Sequence, residues 1–120
     1  MLRIDEAERC YTGIASPNGV AIHFFDGEVL QPIAPRYTFA CGHRWGGAVE
    51  ERENVAFTVL GDYLQRHNSS REAAELGAEA LMRAFAEQFL TDIDPRSTLF
   101  IEEHHIEDWL RVMRMLGEAA

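Results

Sequence analysis

Residues 20–33 read VAIHFFDGEVLQPI, and this stretch decides the fold. Val20, Ile22 and Phe24 fall on one side of an extended chain and Ala21, His23 and Phe25 on the other, the period-two pattern of a strand. Asp26-Gly27 follows, a two-residue hairpin signal in which glycine supplies a backbone conformation that other residues avoid. Glu28 to Ile33 then returns as a partner strand, with Pro32 and Pro35 marking its fraying end or an edge position. Upstream, Arg9 to Ala15 (RCYTGIA) makes a further strand, joined through Ser16-Pro17-Asn18-Gly19, where proline presets φ and glycine accepts the left-handed position. Residues 9–33 are thus expected to form a three-stranded antiparallel meander.

Working outward, residues 34–47 (APRYTFACGHRWGG) combine aromatic side chains with glycine, which predicts an ordered loop packed by its own rings. The period then changes. Ala56, Val59, Leu60, Tyr63 and Leu64 recur at helical spacing and predict a helix over 48–67. Asn68-Ser69-Ser70 breaks it, and Ser69 with Glu72 fits a capping box for a second helix over 71–90. The buried line of that helix is Ala74, Ala78, Leu81, Phe85 and Phe89, and Asp94-Pro95 closes it. Residues 98–101 (TLFI) offer a fourth strand. Ile106, Trp109, Leu110 and Met113 predict a last helix over 103–116, with Glu102 and Glu103 complementing its N-terminus. The expected architecture is one α+β domain over 1–120, a small three- or four-stranded antiparallel sheet covered by three helices.

The chain has 120 residues, 47% of them apolar, which suits a single packed core and excludes a disordered chain. No apolar run approaches the ~20 residues of a membrane span, and the first residues do not form a secretory signal, so no membrane partner and a cytoplasmic site are expected. Two cysteines make no disulfide framework. The formal net charge is −9 and every basic residue is arginine. Such a balance argues against direct nucleic-acid binding, which calls for excess positive charge. The negative charge is also uneven, since residues 1–46 carry a net −1 and residues 47–120 a net −8.

Tyr11-Thr12-Gly13, Gly42-His43-Arg44-Trp45-Gly46-Gly47, Leu60-Gly61-Asp62-Tyr63-Leu64 and Ile106-Glu107-Asp108-Trp109-Leu110 together resemble a family of small uncharacterised proteins of phages and mobile elements. In that family a longer glycine- and proline-bearing stretch follows the tryptophan-glycine pair, where this chain has Ala48-Val49-Glu50-Glu51-Arg52. The family carries no established activity, so the resemblance implies a fold and a genomic setting rather than a reaction.

Cys41-Gly42-His43 and His104-His105 have the residue types of a zinc site or of a cysteine nucleophile with a base. Their spacing matches no zinc pattern, adjacent histidines on a helix diverge, and a free cysteine is commonly a small buried apolar group. No phosphate-cradling glycine loop is present. The expectation is therefore a chain that is not an enzyme, with no cofactor and no metal. Trp45 and Trp109 are assigned to the core. Among the helical acids, Asp62–Arg66, Glu79–Arg83 and Glu107–Arg111 have intrahelical partners. Glu50, Glu51, Glu53, Glu72 and Glu75 have none in the favourable register, and Glu72, Glu75 and Glu79 share a helix face. The expected partner-binding set is Glu50, Glu51, Glu53, Glu72, Glu75 and Glu79, with Tyr37 and Arg44 as non-acidic anchors. The function expected from it is inhibition of a host defence complex of CRISPR type in the bacterial cytoplasm. A monomer or weak homodimer would dock stoichiometrically on a basic surface of the effector or nuclease that handles nucleic acid. The alternative is a self-associating structural or regulatory phage protein.

Overall fold

The computed structural model describes residues 9–16, 19–39, 41–45, 48–67, 70–91, 93–94 and 96–119. The elements run β1 (Cys10–Ser16), β2 (Gly19–Phe25), β3 (Leu30–Pro32), α1 (Val49–Arg66), α2 (Arg71–Phe89), β4 (Leu99–Glu102) and α3 (Glu103–Ala119). The sheet is four-stranded and antiparallel, in the order β3-β2-β1-β4. The α+β class and the fourth strand are as the sequence predicts.

Local chemistry moves some boundaries. Ser16 pairs with Gly19, whose φ is 125°, so the β1–β2 turn needs the freedom of glycine at its exit. Its central residues, Pro17 and Asn18, lie outside the described residues. The β2–β3 turn is longer than the two residues expected. Phe25 pairs with Leu30, and the Asp26 carboxylate accepts the amides of Glu28 and Val29 at 2.9 and 2.8 Å. That side-chain bridge takes residues 26–29 into the turn and cuts β3 to three residues. Pro32 is tolerated because β3 is an edge strand.

The capping expectation on Ser69 falls outside the described residues. The hydroxyl seen to cap α2 belongs to Ser70, which accepts the Ala73 amide at 3.1 Å. At the other end of α2, the Thr91 hydroxyl donates to the Glu87 carbonyl at 2.7 Å and closes the last turn. No loop separates β4 from α3. Glu102 ends the strand and Glu103 starts the helix, its amide still bonded to the Arg9 carbonyl at 2.8 Å.

Strand register decides which face is buried. Tyr11, Ile22, Phe24, Leu99 and Ile101 point inward to Val55, Val59, Leu60 and Tyr63 of α1, Phe85 of α2, and Ile106 and Leu110 of α3. Trp45 joins this core and lies over Gly13, where a Cβ would come within 2.9 Å of the indole. Trp109 packs edge-on against Phe85 and Phe89. The inner face also carries a partly buried polar contact, in which the Tyr11 hydroxyl donates to Asp62 Oδ2 at 2.7 Å. Arg66 holds the same carboxylate and lies over the Phe24 ring at 4.2 Å. The outer face differs. Thr12 pairs with Phe100 and Phe25 with Leu30, so Ile14, Phe100 and Leu30 share the side away from this core, and all three are exposed. No helix among the described residues is long and apolar enough to cross a membrane.

Candidate functional site

The candidate site is a groove between residues 35–38 and α2. Its shape depends on how the aromatic loop is fastened to α1. Asn54 and Thr58, one helical turn apart and fully buried, face that loop. Asn54 Oδ1 accepts the amides of Thr38 and Phe39 at 3.0 and 3.1 Å, and its Nδ2 donates to the carbonyls of Phe39 and Gly42 at 3.2 and 3.0 Å. Thr58 Oγ1 accepts the Arg36 amide at 2.9 Å. His43 Nε2 sits 2.7 Å from the same hydroxyl and 3.1 Å from the Asn54 carbonyl. A carbonyl can only accept, so Nε2 carries the proton and Nδ1, which has no partner among the described residues, is left as an acceptor. Burial pushes the His43 imidazole below its ordinary value, outweighing the hydrogen bond to the Asn54 carbonyl. Tyr37 packs at a tilt against that ring, with centroids 5.2 Å apart, while staying 53% exposed.

Arg36 crosses α1 to reach α2. It donates to Gln65 Oε1 at 2.7 Å, and its Nη1 lies 3.5 Å from the Glu75 carboxylate. The groove so formed has a volume of about 660 Å³ and brings together Tyr37, Phe57, Arg71, Glu72, Leu76 and Glu79. Four of the eight sequence-predicted contact residues therefore meet here: Tyr37, Glu72, Glu75 and Glu79. Glu72 and Glu79 are exposed and have no ion pair among the described residues. Glu75 is shared between Arg36 and Arg71, at 3.5 and 3.4 Å. Leu76, 66% exposed, adds an apolar step between them.

The other four contact residues lie elsewhere. Because α1 and α2 run antiparallel, the start of α1 meets the end of α2. Arg83, the partner of Glu53 at 3.6 Å, is eight residues beyond Glu75, about 12 Å along the axis. The expected single acidic patch is thus two separate clusters. Glu53 is a correction in its own right: it is 2% exposed, folded under the exposed Arg83, and presents nothing to solvent. Arg83 is consequently drawn away from Glu79, its expected intrahelical partner. Glu51 is also spoken for. It accepts the Ala48 amide at 2.9 Å, as an acid in a first helical turn does, and lies 3.8 Å from Arg44. Arg44 and Glu51 thus restrain each other, and only Glu50 of that trio stands exposed.

Cys41 is exposed rather than buried as the sequence reading has it. Local desolvation, followed by the charges of Glu51 and Glu50, pushes its thiol up, away from thiolate character. The His43 ring is occupied by Asn54 and Thr58, and neither residue joins His104-His105. Those two histidines do converge, contrary to expectation. Their rings are 4.2 Å apart at the start of α3, and both Nε2 atoms approach Glu102, at 3.4 and 3.6 Å. Side chains on a helix lean toward its N-terminus, so in the first turn both imidazoles reach back over the strand-end carboxylate.

The sequence reading missed Asn54 and Thr58. Their signal was two polar residues at i, i+4 inside an otherwise apolar run, Val55-Ala56-Phe57 and Val59-Leu60. No family model, curated protein or solved structure matches this chain.

Proposed function

We propose that this chain is a non-catalytic binding domain that docks through the Tyr37–Glu79 groove on a basic surface of a protein partner. The supporting observation is that Glu72 and Glu79 flank Leu76 and Tyr37 in one groove of about 660 Å³, so charge and apolar area face the same occupant. An arginine or lysine entering it passes two carboxylates not engaged in ion pairs, and its alkyl stem covers Leu76. Unpaired rim carboxylates speed encounter with a cationic surface more than they add affinity, whereas an aromatic anchor and an apolar step supply the hold.

The finer form of the proposal names the partner as a bacterial defence complex of CRISPR type, in the host cytoplasm. Its effector or nuclease has a cationic surface for nucleic acid, and the docked domain occludes it stoichiometrically. Support for this comes from the net charge of −9 and from the resemblance to phage and mobile-element proteins. The test is a binding measurement between the purified protein and a purified guide-loaded effector or its nuclease, with Glu72→Arg/Glu79→Arg and Glu50→Arg variants. Double reversal in the groove should abolish binding with the melting temperature unchanged, and reversal at Glu50 should not. Equal affinity of the groove variant and wild type would overturn the docking reading. Absence of wild-type binding to every effector and nuclease tried would overturn the finer one.

A second reading, self-association, is favoured by the outer sheet face with its exposed Ile14, Leu30 and Phe100. Light scattering across protein concentration separates the two. A tight oligomer dissolved by Phe100→Asp would favour self-association, and a monomer at all concentrations the docking domain.

A further inference from the structure

We infer that Glu102, His104 and His105 form a surface site for a divalent transition-metal ion of borderline softness, zinc being the representative case. The three residues each offer one ligand atom, and these atoms all lie within 4.8 Å of one another. Glu102 Oε2 is 3.4 Å from His104 Nε2 and 3.6 Å from His105 Nε2. A tetrahedral ion with bonds of about 2.0–2.1 Å requires ligand atoms about 3.3 Å apart, so two edges of that polyhedron already have nearly the right length. The third, no longer than 4.8 Å, closes by rotation of the exposed imidazoles.

The fold supplies this arrangement without a loop. β4 passes directly into α3, so the last strand residue and the first helical turn converge on one point. Glu103, between the ligands in sequence, is turned elsewhere, held by Arg9 at 2.6 Å and His67 at 3.1 Å. It therefore does not compete for the imidazoles. Both histidines are spread around one carboxylate oxygen, at 3.4 and 3.6 Å.

Donor chemistry sets the ligand class. Two imidazole nitrogens and one carboxylate oxygen select zinc, nickel or copper over magnesium and calcium, which require oxygen donors. Three protein ligands leave at least one coordination position for water or an outside donor. The positive end of the α3 dipole opposes a cation here, and the Glu102 carboxylate offsets it. The site lies at the β4–α3 junction and uses none of the groove residues, so it stands or falls independently of the docking proposal.

The experiment is titration of the intact chain with zinc chloride, followed by calorimetry and by the ring resonances of its five histidines. The expected result is one equivalent bound, with shifts confined to the His104 and His105 rings and no response to magnesium. His104→Ala and His105→Ala should each weaken binding about tenfold or more, at least the loss that follows removal of an outer-sphere partner. Glu102→Gln should weaken it as well, and His23→Ala should leave it unchanged. Both histidines are exposed, and an unaltered amide spectrum verifies that each variant is folded. Absence of binding at millimolar zinc would overturn the inference, as would binding that survives the His104→Ala/His105→Ala double variant.

Discussion

Replacing Asn54 by alanine tests the claim that one buried amide holds the groove together. The substitution removes the acceptor for the Thr38 and Phe39 amides and the donor to the Phe39 and Gly42 carbonyls. A buried N–H left without a partner costs about 1–3 kcal/mol. Thr38 and Phe39 are only half-buried, so water reaches part of the exposed ladder and the lower half of that range applies to each. Two such groups, with the contacts of a fully buried side chain, give an expected destabilisation of about 2–4 kcal/mol. At about 2.1 cal/mol/K per residue, a 120-residue chain loses about 4 °C of melting temperature per kcal/mol, hence about 8–16 °C here. The assays are urea unfolding followed by circular dichroism and amide exchange in the native state. Exchange at Thr38 and Phe39 should accelerate beyond the global change, because the segment comes loose before the core does. Asn54→Asp keeps the acceptor for the two amides but sets a buried charge against the Phe39 and Gly42 carbonyls, and should cost at least as much as alanine. A loss below about 0.5 kcal/mol, the size of an ordinary surface change, with Thr38 and Phe39 protection intact, would refute the reasoning.

Gly13→Ala should destabilise by about 1–3 kcal/mol, the cost of overpacking, although alanine is normally the better strand residue. The new methyl would sit 2.9 Å from the Trp45 ring, and an unchanged urea midpoint would contradict this. Stability should fall as pH drops below about 6.5, because burial lowers the His43 pKa and the unfolded chain then binds a proton that the folded chain refuses. Glu103 adds a second acid limb below about pH 4.5. Burial alone would raise its pKa, but hydrogen bonds from Arg9 and His67 outweigh that and hold it below the usual carboxylate range. On the alkaline side, burial first and then the Asp62 charge raise the Tyr11 pKa, so stability should fall above about pH 10, where only the unfolded chain ionises. Unfolding free energies from pH 2 to 11 measure all three limbs, and a profile flat between pH 5 and 6.5 would remove the His43 argument.

Periodicity made most of the fold legible. The switch from period two in Val20–Phe25 to helical spacing from Ala56 onward located the sheet and α1, and Ile106, Trp109, Leu110 and Met113 oriented α3 correctly. What periodicity does not encode is which helix end meets which. Glu53 and Glu75 looked equivalent as unpartnered acids, yet the antiparallel α1–α2 packing buries one beneath Arg83 and sets the other between Arg36 and Arg71. The Glu53–Arg83 and Glu75–Arg36 pairings span 30 and 39 residues of sequence and leave no local trace, whereas Arg71–Glu75 is a local i, i+4 pair in the less favourable order. The β2–β3 turn misled for a different reason. Asp26-Gly27 is a genuine turn signal, but the Asp26 carboxylate also takes two further amides and lengthens it. The groove was half legible: the acids of α2 and Tyr37 were found, whereas Asn54 and Thr58, which set the loop against them, read as interruptions in an apolar run.

The described helices cover one side of the sheet and leave Ile14, Leu30 and Phe100 on the other exposed, and this asymmetry gives the molecule two faces with opposite responses to electrolyte. Raising ionic strength from 0.1 M to 1 M shortens the screening length from about 10 Å to about 3 Å and dims the carboxylates of α2. Sulfate at the same concentration, excluded from protein surface, strengthens contacts made by Ile14, Leu30 and Phe100. On the docking proposal, dilute buffer therefore favours contact through the groove, and concentrated sulfate favours contact through the sheet.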